Sequence, residues 1–254
     1  MKPARLGLMT ALLVILLTAA FPARLHAQQS TPTPPAVTIV VDDSSTSRDH
    51  VEFSFERPGL QVPHYQLQLF ENGTGQYRGE EVPMTVGHVD PPPSAQPFPT
   101  KSLHVSLSTA GKVFALARSL NYFNVSCASS AKNVADTGKK SLMYVHLPDV
   151  RSSCTYDYTE NKDVETLTGI FQGIAETLDE GRKLDYLHRY DRLGLDAEME
   201  SFSREVADGH AIELQTIADT LRSIADDPEV MQRVRTRANA LLTLVPARAR
   251  SVPP

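Results

Sequence analysis

Cys127 and Cys154 are the only two cysteines in the chain. An even pair in an oxidising compartment is most simply one disulfide, with two buried free thiols as the alternative. Outside the leader the histidines are His50, His64, His88, His104, His146, His188 and His210. No two stand two or four residues apart, and neither His-Glu-x-x-His nor Cys-x-x-Cys occurs, so no local metal site is expected. The sequence also lacks a Gly-x-Ser-x-Gly elbow, a phosphate-binding loop and a dinucleotide fingerprint. Neither a catalytic residue nor a cofactor is therefore assigned.

Two clusters are the candidate binding surface. Tyr144, Tyr156 and Tyr158 would line one face of a sheet, either as an exposed recognition face or as the floor on which helices pack. Arg189, Tyr190 and Arg192 fall at the junction of two long helices. They form either a recognition corner or helix-end electrostatics, with Gly194 as the stop and Asp196 as the next cap.

Compartment is read from residues 1–27. Lys2 and Arg5 precede an apolar run over 6–21, and Leu25-His26-Ala27 ends on a small residue, the pattern of a cleaved secretory signal. An uncleaved anchor is the alternative, but the run is short for a membrane span. No later run approaches that length, so no integral membrane segment is expected after cleavage. With Lys2, Arg5 and Arg24 in the leader, the remaining 22 basic residues face 30 acidic ones, a balance of −8. That disfavours nucleic acid as a partner. The expected location is periplasmic or secreted, and the expected partner an unidentified envelope or extracellular component.

The elements follow from periodicity. Residues 28–48 read as a flexible linker, with Val37 to Val41 as an edge strand. Val51, Phe53 and Phe55 alternate with polar residues, as do Tyr65, Leu67 and Leu69, and Asn72-Gly73 makes the hairpin turn to a strand over 76–82. A proline-rich surface loop spans 83–99. Ser106 or Ser108 would cap a helix over 108–122 that buries Val113, Leu116, Ala117 and Leu120. Strands at 141–147 and 152–159 join through Pro148-Asp149.

From Asp163, read as a cap, the period changes to that of helices. Val164, Leu167, Phe171, Ile174 and Leu178 mark the first, and a stripe from Met199 through Ile224 the second. The third starts at Asp227-Pro228 and ends before Pro246. The fold class is α+β: a small antiparallel sheet with one packed helix, followed by a C-terminal three-helix unit. The domains are a signal at 1–27, a linker at 28–48, a disulfide-tied sheet domain at 49–160, helices at 161–246 and a disordered tail at 247–254. Residues 163–229 carry 6 basic and 17 acidic side chains, whereas 230–254 carries five arginines and no acid. Either the last helix is a basic tail for anionic polymers or lipid, or it packs beside the acidic helices and their charges match.

The hairpin Pro63-x-Tyr65-x-Leu67-x-Leu69-x-x-Asn72-Gly73-x-x-x-Tyr77-x-Gly79 resembles the signature strand pair of a bacterial exported domain family of unknown function. The resemblance covers about residues 50–160 and implies a helix and a second hairpin after the first. Where that family often has a cysteine pair, residues 57–62 have none. The family has no assigned activity, so the resemblance brings no catalytic residue.

The leading functional expectation is a non-enzymatic envelope or secreted interaction module; the alternative is an envelope hydrolase with a dispersed active site. A flat tyrosine-bearing face would favour the first. A pocket with shifted carboxyls would favour the second.

Overall fold

Alternation of apolar and polar residues builds the sheet. The computed structural model describes residues 49–83, 94–132, 136–146 and 150–246. The leader, the linker with its Val37 to Val41 strand, the Pro148-Asp149 turn and the tail at 247–254 lie outside the described residues. Strands β1 (His50–Glu56), β2 (His64–Phe70) and β3 (Thr74–Glu81) form a meander, and β6 (Lys139–His146) and β7 (Val150–Tyr156) extend it antiparallel on the other side of β1. Register places Phe53 opposite both Leu67 and Leu142, and Leu142 opposite Cys154. The whole row therefore points to one buried face. Ser54, Gln66, Gln68, Ser141 and Met143 fall on the other, half-buried face.

The hairpin turn forms as its sequence requires. Asn72 Oδ1 accepts from Thr74 N at 3.0 Å, and Gly73 adopts a φ of +83°. A Cβ there would also stand 2.7 Å from the Val105 carbonyl oxygen, so glycine is needed twice over.

The proline-rich stretch is not entirely loop. β4 (Gln96–Pro97) pairs with the end of β3, and β5 (Lys101–His104) pairs with its beginning. β5 was hidden because only Leu103 on it is buried, too little alternation to show.

Helix α1 (Leu107–Ser119) starts at Ser106, whose hydroxyl accepts from Thr109 N, and buries Ala110, Val113, Phe114 and Ala117. It ends before residue 122, because Asn121, Tyr122 and Phe123 all take positive φ. The disulfide Cys127–Cys154 then ties the segment after α1 to β7, with 5.7 Å between Cα atoms.

α2 (Lys162–Tyr190) is the long element that joins two cores. Its cap is Asn161, not Asp163: Asn161 Oδ1 accepts from Asp163 N and Val164 N. Phe171 stacks on Phe53 at 5.2 Å, putting the first half of α2 over the sheet beside α1. Leu184, farther along, belongs to a second core with α3 (Gly194–Ala207), α4 (Ala218–Asp226) and α5 (Gln232–Leu244).

The C-terminal helices thus follow the sheet as expected, but the middle one is broken into α3 and α4. Gly209 and Glu213 both have positive φ, and a 3-10 turn (Leu214–Ile217) intervenes. A continuous apolar period crossed a break that only the backbone reveals. Asp227-Pro228 does not start a helix either. Asp227 Oδ1 bonds Glu229 N within a turn, and α5 begins at Gln232. Among the described residues no helix is long and apolar enough to cross a membrane.

Candidate functional site

α2 carries a second stripe beside its apolar one. Gly169, Gln172, Gly173, Glu176, Asp179, Glu180, Lys183 and Tyr186 recur at intervals of three and four or their sums, so they share a helix face. That face lines a cleft of about 1090 Å³. Its opposite wall is Phe55, Tyr65, Glu81 and Phe98 from the sheet, and Glu205, Gly209 and His210 close one end. The end is held where it is by a close approach: Ile212 N donates to the Gly173 carbonyl at 3.3 Å. A Cβ on Gly173 would lie 2.9 Å from the His210 carbonyl oxygen.

Asp179 anchors α2 to the sheet. The Tyr77 hydroxyl donates to Asp179 Oδ1 at 2.7 Å, and Arg182 Nη2 donates to the same oxygen at 2.9 Å. Arg182 also bonds Glu81 at 2.8 Å and lies 4.0 Å over the Phe98 ring. Burial pushes the Asp179 carboxyl up to about 6 in spite of these donors.

Glu180 is raised too, first by burial and then by its hydrogen bond with Glu198. Lys183 Nζ sits 2.7 Å from Glu198 and 3.7 Å from Glu180. Glu205 pairs with His210 at 3.0 Å. Glu176 makes no hydrogen bond or ion pair to a described residue, and desolvation, then the Glu205 charge, raises its carboxyl.

Gly169 has no backbone reason to be glycine. It lies inside a helix, where glycine costs about 1 kcal/mol relative to alanine. A Cβ there would meet nothing within 4 Å. The position borders open space at the cleft.

The residues expected to bind are dispersed. Tyr144 and Tyr156 are buried beneath the helices: Phe114 of α1 meets Tyr144 at 6.2 Å, and Tyr156 shares a 2.5 Å hydrogen bond with Thr168 of α2. Burial pushes both phenols up to about 12. Tyr158 lies beyond the end of β7 and is exposed, so the three form no common recognition face. Arg189 pairs with Asp185, and Arg192 with Glu229 and Asp227. Asp191 accepts from Gly194 N at the start of α3. These are helix-end electrostatics, but Gly194 opens α3 rather than ending α2, and Asp196 lies inside the first turn of α3, paired with Arg233 and Arg237, rather than capping it. Only Tyr190 stands clear, against Tyr186 at 5.0 Å between ring centroids. The basic face of α5 is likewise matched: Arg233 and Arg237 both pair with Asp196 of α3.

Among the described residues no group of three or more His, Cys, Asp or Glu is arranged to hold a metal ion. Sequence reading missed the cleft because its carboxylates looked like a solvated helix face. The usable signal was Gly169 and Gly173 one turn apart on that stripe, in a helix otherwise rich in good formers. No family model matches this chain, and no curated protein matches it.

Proposed function

We propose that the protein is exported to the periplasm or the medium and acts there as a non-enzymatic binding module, with its ligand seated in the cleft along α2. Supporting export are the apolar leader at 6–21, the disulfide and the lack of a membrane-crossing helix among the described residues. The observation that carries the binding reading is the aromatic-walled cleft itself, lined by Phe55, Tyr65, Phe98 and Tyr186, with Gly169 bordering open space at it.

The hydrolase reading draws support from the raised carboxyls of Asp179 and Glu180. Binding is preferred because both groups are engaged inward, Asp179 with Tyr77 and Arg182 and Glu180 with Glu198. A general acid needs its proton directed at a substrate.

The test compares wild type with Gly169→Trp, which places a bulky side chain at the cleft, and Gly169→Ala as the folded control. Each is incubated with envelope extract and the bound and free fractions are analysed by mass spectrometry. Wild type and Gly169→Ala should retain an extract component unchanged in mass, and Gly169→Trp should not. Retention by all three would overturn the cleft as the site, and new cleavage products would favour the hydrolase.

A further inference from the structure

The charges of the cleft are not equally available. Asp179 and Glu81 are paired with Arg182, Glu205 lies against His210, and Glu180 and Glu198 both lie against Lys183. Glu176 is left as a carboxylate in contact with solvent, bonded to no described residue and beside the like charge of Glu205. Tyr65, on the opposite wall, feels the Glu176 charge. Tyr186, half-exposed, stands on the same helix face.

Resting on the binding reading above, we infer that the cleft takes a ligand bearing a primary amine on an apolar arm, with Glu176 as the carboxylate that receives the amine. A cation there would offset the repulsion between Glu176 and Glu205, while aromatic surface meets the arm. A carboxylate or phosphate ligand would add to that repulsion instead. The surrounding acidity helps: residues 163–229 have 17 acids to 6 bases, which draws cations towards the cleft at low salt.

The pairing has a proton signature. The charged and titratable groups that act on Glu176 are Asp179, Glu180 and Lys183 on its own helix, Glu198 and Glu205 on α3, His210 after α3 and Tyr65 on β2. Among these an added amine favours the ionised form of Glu176, so binding at mildly acidic pH releases a proton.

The probes are three apolar hexapeptides that differ only in a central Lys, Gln or Glu, together with cadaverine as a free diamine. Calorimetry at low salt, in buffers of different ionisation enthalpy, reads affinity and proton release together. The lysine peptide should bind, more weakly as salt rises. Glu176→Gln should lower its affinity about tenfold, the equivalent of about 1.4 kcal/mol, and reduce proton release. Tighter binding of cadaverine than of the peptide would identify a free amine rather than a side chain as the ligand form. Equal affinity for the three peptides, an unaffected Glu176→Gln, or failure of both amines to bind would overturn the inference. Loss of extract retention in Gly169→Trp would still uphold the binding reading, which separates the two failures.

Discussion

Glu213 links the two cores through the start of α1, and replacing it gives a test in which the order of the variants matters as much as the size of the effect. α1 has no acidic residue in its first turn. Its anion comes from more than a hundred residues away: the Glu213 carboxylate accepts from Ser106 N at 2.7 Å and from Ser106 Oγ at 2.9 Å, with Thr109 and Gln215 as further donors. Charge-assisted bonds contribute about 1.5 to 3 kcal/mol each, and a carboxylate at a helix N-terminus adds roughly 0.3 to 1. These donors are only part-buried, so the low end applies, and Glu213→Ala should destabilise by about 3 kcal/mol.

Glu213 also has a φ of 62°, which costs an L-residue roughly 1 kcal/mol that glycine does not incur. Glu213→Gly should therefore be more stable than Glu213→Ala by about 0.5 to 1 kcal/mol, the reverse of their usual order. Glu213→Gln keeps an acceptor and should cost about 1 kcal/mol. Urea unfolding at pH 7 without reductant measures all three. A Glu213→Ala variant within about 0.5 kcal/mol of wild type, or a Glu213→Gly variant less stable than it, would refute this account of the clasp.

Gly169→Ala should stabilise by about 1 kcal/mol in the same assay, since nothing obstructs the added methyl and alanine is the better helix former; a loss of stability would mean that the position is not open. Reducing the Cys127–Cys154 bridge, or Cys127→Ser with Cys154→Ser, should cost about 3 to 4 kcal/mol for a separation of 27 residues. Thiol labelling of the denatured, unreduced protein should find no free sulfhydryl. Asp179 holds its proton to about pH 6, against an ordinary value of 3.8. The folded state thus binds that proton more tightly than the unfolded state. Its contribution is fully present below about pH 4 and lost as pH rises through 6, on the order of 3 kcal/mol in all. Relative to wild type, Asp179→Asn should gain that much between pH 4 and pH 7, and a flat difference would exclude it.

The parts of the fold legible in sequence were those where one residue type has one use. Alternation at Val51 to Phe55 and Tyr65 to Leu69 gave β1 and β2, Asn72-Gly73 gave the turn, Ser106 gave a cap and the cysteine pair gave its bridge. The break between α3 and α4 was invisible because Val206 and Leu214 keep the helical period on either side of the positive-φ residues Gly209 and Glu213. The tyrosines were legible as sheet residues but not as exposed or buried, since that depends on α1 and α2 lying across them. The cleft was least legible. Its acidic helix face has the composition of a solvated surface, and only the facing sheet residues and the turn after α3 make it concave.

The central claim is that a ligand sits along α2, and amide NMR of the ¹⁵N-labelled protein tests it most directly as envelope extract, then the lysine peptide, is added. The account predicts shifts at Gly169, Gly173 and Glu176 and across the cleft at Tyr65, with none at Gln68 or Ser141 on the outer sheet face. Shifts confined to that outer face, or none with either addition, would contradict it.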